Sequence, residues 1–159
     1  MIVVSDAGPL IYLGAVGHLS ILRSLFDRVV VPEAVWLEDV VVGADRPGAA
    51  ATRAATWMQV MRADAQAVLP LRDRLDPGEA EAIALASAVH ADLLLIDDQA
   101  GRELAVELGL TIVGTLGVLV RAKRPGLLPA VRPIVDAIVA FGLRATPDLI
   151  ERVAALAGE

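Results

Sequence analysis

The chain has 159 residues, the size of one domain with a real core, and its 56% hydrophobic content includes only 3% aromatics, so Ala, Val, Leu and Ile must build that core. It has no Cys and only two His, His18 and His90, which excludes disulfide frameworks, thiolate zinc sites and His-based metal centres and leaves oxygen ligands for any metal. The net charge of −6 runs against nucleic-acid binding by bulk electrostatics. No apolar run nears the roughly 20 residues of a bilayer span, and the N-terminus lacks a signal-peptide pattern, so the protein is expected to be cytoplasmic, with no membrane partner.

Met1 to Ser5 reads as a buried strand ending at Asp6, and Pro9 suits the first turn of a helix over about Leu10 to Val16. A second helix around Leu19 to Phe26 leads into the strand Arg28 to Val31, after which Pro32 opens a helix through about Val40. The Ala- and Gly-rich stretch Gly43 to Thr56 is a helix or a mobile excursion before a strand near Met58 to Met61. Asp76, Pro77 and Glu79 form a helix start, with Asp as N-cap, Pro at the first position and Glu three residues after the cap; that helix runs to about His90. Leu93 to Ile96 is an apolar strand, followed by Asp97, Asp98 and a helix over Arg102 to Leu108 that Gly109 stops. Thr111 to Val113 is a further short strand. The chain is then helical from Leu116, broken at Pro125-Gly126 and Pro129, and resumes over Ala130 to Phe141 and Leu149 to Leu156, with Thr146 as cap and Pro147 at the first position.

Strands separated by helices imply right-handed βαβ units, and hence an α/β fold with a central parallel sheet of four to five strands flanked by helices. The expected organisation is one domain over 1–159, with 126–159 a C-terminal helical extension. Ligands of such sheets bind beyond the carboxyl ends of the strands, where Asp6 and the Asp97/Asp98 pair fall. Each acid has a plain structural role open to it: Asp6, Asp97 and Asp98 can cap helices, and Glu79 can complete a capping box. Together, carboxylates aimed at one edge repel unless a cation compensates them. All-oxygen ligation favours Mg²⁺ or Mn²⁺, and such ions can activate water and stabilise the leaving oxygen of a phosphodiester without His or Cys. Glu79 and Glu81 cannot face the same way, since each helical residue turns about 100°, and the periodicity leaves open which one faces the site.

Four segments in order, Val4–Leu10 (VSDAGPL), Leu75–Ala86 (LDPGEAEAIALA), Leu94–Asp98 (LLIDD) with Arg102, and Val113–Leu119 (VGTLGVL), resemble the signatures of PIN-domain proteins, in particular a prokaryotic subgroup similar to VapC toxins. The resemblance spans roughly residues 1 to 125 and implies a three-layer PIN-like fold. It implies that Asp6 is the first acid of the site, that Glu38 in the segment Val31–Glu38 (VPEAVWLE) is the second in preference to Glu33, that Glu79 or Glu81 is the third, and Asp97 or Asp98 the fourth. It also implies metal-dependent cleavage of single-stranded RNA, homodimerisation and, for toxins, inhibition by an antitoxin protein. The chain departs from the common toxin form in its Glu at the third position and its doubled Asp97-Asp98.

Arg121, Lys123 and Arg124 form the densest basic run and can grip RNA phosphates or dress a helix end. Arg102 can hold substrate or pair with Asp98 four residues earlier, and Thr115 can bind a metal-bound water or phosphate, or cap the following helix. Two rival functions remain: a catalytically inactive PIN scaffold for partner binding, and a Mg²⁺-dependent phosphatase. Against the phosphatase, Gly8 stands where a haloacid dehalogenase-type enzyme would carry its second Asp.

Overall fold

A computed structural model describes residues 1–159. Five short strands, β1 (Ile2–Ser5), β2 (Arg28–Pro32), β3 (Gln59–Met61), β4 (Leu93–Leu95) and β5 (Ile112–Val113), form one sheet in the order β3-β2-β1-β4-β5, with every pair parallel. The helices up to β4 are α1 (Ala7–Ala15), α2 (Ile21–Leu25), α3 (Glu33–Val35), α4 (Ala49–Ala54), α5 (Ala65–Val68) and α6 (Pro77–Ala88). After it come α7 (Gln99–Glu107), α8 (Thr115–Lys123), α9 (Arg132–Phe141) and α10 (Pro147–Leu156). The chain is thus an α/β fold with a central five-stranded parallel sheet flanked by helices. No helix is long and apolar enough to cross a membrane.

The period of two along each strand divides the core between the faces of the sheet. Val3, Val29, Val31, Leu93 and Leu95 pack on one side with Leu13 of α1, Leu22 of α2, Leu119 of α8 and Ile138 of α9. Val4, Val30, Leu94 and Ile96 pack on the other with Ile83 and Leu85 of α6 and Leu104 of α7. Cover on both faces explains why the central strands β1, β2 and β4 read as apolar runs rather than alternating ones, whereas the edge strand β3 is largely exposed. In α6, Ala80, Ala82, Ala84 and Ala86 are all buried, and their small side chains let the helix lie close beneath β1 and β2 with little aromatic filling. Helices α9 and α10 join the larger core through Val131, Ile134, Val135 and Val153.

Several boundaries differ from the expected ones. Helix α1 begins at Ala7, directly after Asp6, which puts Pro9 at its third position. Pro32 is both the last residue of β2 and the N-cap of the helix it was expected to open, so strand and helix meet at one residue. The helix after it makes one α-turn and then widens into a π-helical stretch over Trp36–Val42, closed by the Gly43 amide donating to the Glu38 carbonyl at 2.9 Å. Within the Gly43–Thr56 stretch lies α4. Segment 62–75, for which no element was expected, holds α5, capped by Asp64 (Gln66 amide to Oδ1, 2.8 Å), and a 3₁₀ turn over Leu69–Asp73. Helix α7 starts at Gln99, where Asp98 caps it as the sequence allowed, so it takes in the three residues ahead of the span Arg102 to Leu108.

Candidate active site

Strand order reverses at β1: the chain first moves outward through β2 and β3, then returns to add β4 on the opposite side. The crevice at such a switch point, beyond the carboxyl ends of β1 and β4, is where open parallel sheets bind ligands. Asp6 directly follows β1, its amide donating to the Leu95 carbonyl of β4 at 2.8 Å, and Asp97 and Asp98 lie just past β4. An open cleft of about 640 Å³ occupies this position. Seven carboxylates line it, those of Asp6, Glu38, Asp39, Asp76, Glu79, Asp97 and Asp98, against a single cation, Arg144.

Asp6 is only 5% exposed, and although it occupies the N-cap position of α1 its side chain makes no capping hydrogen bond. The plain capping role open to it is therefore not the one it takes. Burial, reinforced by Glu79, Asp76 and Asp39 and only partly opposed by the Ala7 amide, pushes its pKa up to about 7. Glu79 is likewise pushed up to about 7, by partial burial first and then by Asp76 and Asp98. Asp39 is raised by burial and by Glu38, with Arg46, 3.7 Å away, opposing. The cleft thus concentrates like charge that the protein itself does not neutralise.

Other acids combine local duties with their place in the cleft. Asp76 and Glu79 form a capping box on α6, the Glu79 amide donating to Asp76 Oδ1 at 2.8 Å and the Asp76 amide to Glu79 Oε2 at 3.3 Å. Asp98 accepts the Gly101 amide at 2.9 Å. Asp97 is held by one residue: the Thr115 amide donates to Oδ1 at 2.8 Å and the Thr115 hydroxyl to Oδ2 at 2.6 Å. Burial raises the Asp97 pKa, and Thr115 and Arg102 counteract part of the rise. Two glycines make room for this carboxylate. A Cβ on Gly8 would stand 2.7 Å from Asp97 Oδ2, and one on Gly114 would stand 3.0 Å from both Asp97 Oδ1 and an Arg102 guanidinium nitrogen.

Of the residues singled out from sequence, Asp6, Glu38, Glu79, Asp97 and Asp98 converge on the cleft and Glu81 does not. The Glu81 side chain turns toward α3, where its Oε1 accepts the Glu33 amide at 2.9 Å and tethers the start of that helix. Thr115 is wholly buried and spends its amide and hydroxyl on Asp97, so it is placed to orient that acid, not to meet substrate. Arg102 donates to the Ile96 carbonyl at 2.9 Å, and Arg121 and Arg124 line an adjoining groove. Lys123 is drawn away, pairing with Glu159 at 3.1 Å and donating to the Pro129 carbonyl. Asp39, Asp76, Tyr12 and Arg144 also line the cleft. Asp76 was legible only as a helix cap. Asp39 and Arg144 carried no signal, because a π-helical turn and the link between α9 and α10 bring them there.

A parallel α/β domain with an acidic cleft at its switch point defines a class, and the sequence comparison gives the family. The model of the family described as DUF3368, PIN domain, matches residues 2–159, and the chain belongs to the PIN-domain family. A search of curated proteins found no significant match. PIN-domain membership is consistent with a nuclease-like fold. As the side chains stand, however, no three His, Asp or Glu residues anywhere in the chain are gathered at metal-chelating spacing. The donor set suits a hard divalent cation in chemistry and charge, while Glu79, Asp97 and Asp98 are held by hydrogen bonds that ligation would have to loosen or share.

Proposed function

We propose that the protein is a metal-dependent ribonuclease that hydrolyses RNA phosphodiester bonds in the acidic cleft. The observation that carries this reading is Asp6: a buried carboxylate without a capping role, at the switch point, whose proton affinity is raised by burial first and by the neighbouring acids second. Acids held this way bind a divalent cation in exchange for protons. Asp6, Glu79, Asp97 and Asp98 would hold Mg²⁺ or Mn²⁺, which when bound lowers the pKa of water and offsets charge on the phosphate. Thr115, Gly8 and Gly114 fix the position of Asp97. Glu38, exposed on the widened helix, is free to orient the attacking water.

The ordered motifs support a finer reading, a toxin of the VapC kind acting as a homodimer and restrained by an antitoxin. Growth arrest on induced expression, relieved by Asp6→Asn, is the expected outcome; unimpaired growth with soluble wild-type protein present would count against it. The enzymatic reading is tested by incubating purified protein and its Asp6→Asn variant with a mixed pool of structured and single-stranded RNAs in Mg²⁺, Mn²⁺ or EDTA. Cleavage is expected only with metal and only by the wild type.

A binding scaffold without catalysis is the second reading. It is favoured by the spacing of the acids and by the hydrogen bonds that occupy Glu79, Asp97 and Asp98. Metal binding without hydrolysis of any RNA in the pool would select it.

A further inference from the structure

A groove of about 710 Å³ adjoins the acidic cleft and shares Asp97, Gln99, Leu143 and Arg144 with it. Five guanidinium groups line it: Arg102 of α7, Arg121 on α8, Arg124 at the end of α8, Arg144 between α9 and α10, and Arg152 on α10. None of the five forms an ion pair, although Arg46, Arg74, Arg132 and Lys123 each find a carboxylate elsewhere on the surface. The one acid lining the groove, Asp97, has both oxygens engaged by Thr115. In a chain of net charge −6, unpaired arginines collected on one face repel one another unless an anion lies among them.

The groove is also apolar. Leu116 and Val120 of α8 form part of its lining, and Leu149 and Leu156 of α10 leave 37% and 61% of their surface exposed along it. A small anion would need neither the length of this surface nor its apolar portion. A polynucleotide single strand uses both: phosphates meet guanidinium groups, which bind them in bidentate fashion, while unstacked bases lie on apolar side chains and guanidinium planes.

We propose that this groove holds the backbone of a single-stranded RNA and leads it past Arg144 into the acidic cleft. The direction of the path rests on the nuclease reading above; the binding itself does not. Two of the five cations, Arg144 and Arg152, come from the C-terminal region after α9, which thereby supplies part of the substrate grip.

The test is anisotropy of a labelled oligouridine with the full-length protein in EDTA, over a range of salt, comparing wild type with Arg121→Gln/Arg152→Gln. Both arginines are exposed and unpaired, so the variant should fold and melt as the wild type does. Affinity is expected to fall at least tenfold, and the slope of log K against log salt to flatten by about 1.4, since each phosphate contact to a single strand contributes about 0.7. Equal affinity and slope in the two proteins would overturn the proposal. So would binding of an acidic amphipathic peptide, but not oligouridine, which would make the groove a protein-docking site. Arginine-dependent binding in EDTA with no cleavage in Mg²⁺ or Mn²⁺ would keep the groove and sink the nuclease. Metal-dependent cleavage with KM unmoved in the double variant would do the reverse.

Discussion

Replacing Asp6 by Asn should stabilise the metal-free protein, and more so as pH rises. Burial, with Glu79, Asp76 and Asp39 adding to it, raises the Asp6 carboxyl from 3.8 to about 7. At roughly 1.4 kcal/mol per tenfold change in proton affinity, the ceiling on the cost of ionising it in the folded chain is about 4 kcal/mol. Because the folded-state pKa is the higher one, the folded chain keeps its proton where the unfolded chain has lost it. The resulting stability is complete below about pH 4 and is lost as pH rises through about 7. Relaxation of the cleft and entry of water reduce the effect, so Asp6→Asn is expected to gain about 1–3 kcal/mol at about pH 8 and little at about pH 4. Glu79, raised in the same direction but more exposed, leaves a shallower slope of the same sign in the variant. Urea unfolding in EDTA, followed by the fluorescence of Trp36 and Trp57 across this range, measures the difference. A variant no more stable than wild type at about pH 8, or a gain that does not shrink on acidification, would show that the folded chain does not hold a proton on Asp6.

The two glutamates of α6 should separate cleanly: Glu79→Gln weakens Mn²⁺ binding in calorimetry, whereas Glu81→Gln leaves it unchanged and perturbs only the anchoring of α3, a loss of about 1 kcal/mol or less in urea unfolding. Gly8→Ala should destabilise by about 1–3 kcal/mol, because its Cβ would stand 2.7 Å from Asp97 Oδ2 and push the acid aside; a neutral effect would show that Asp97 is loosely held. Thr115→Val removes the hydroxyl that donates to Asp97 and should cost about 1.5–3 kcal/mol in thermal or urea denaturation, while Thr115→Ser keeps most of the stability. Adding Mg²⁺ or Mn²⁺ at about pH 8 should raise the midpoint of wild-type unfolding and leave Asp6→Asn nearly unmoved; equal shifts in both would place the ion elsewhere.

The sheet was legible because a parallel strand covered on both faces is an apolar run, as in residues 2–4 of β1 and in Leu93–Leu95, and because Asp76-Pro77-Gly78-Glu79 spells out a helix start. The convergence of Asp6 with Asp97 and Asp98 followed from the carboxyl-end rule alone. Other features depended on tertiary context. Helical periodicity could not orient Glu79 against Glu81, since α6 is buried nearly all round and offers no polar face for reference; the Glu33 amide decides it. The π-helical turn over Trp36–Val42 that carries Asp39 into the cleft together with Glu38 has no sequence signature. Arg121 and Lys123 looked equivalent in sequence, yet a chain end reaching Glu159 takes Lys123 out of the groove and leaves Arg121 in it.

The most direct test of water-mediated hydrolysis is cleavage of a defined single-stranded RNA in heavy-oxygen water, with and without Mg²⁺ or Mn²⁺, followed by mass analysis of the product ends. The cleft predicts metal-dependent scission that places heavy oxygen in the terminal phosphate, persists when the 2′-hydroxyl at the cut site is replaced by hydrogen, and disappears in Asp6→Asn. A 2′,3′-cyclic phosphate product, loss of cleavage on removing the 2′-hydroxyl, or equal activity in EDTA would contradict it.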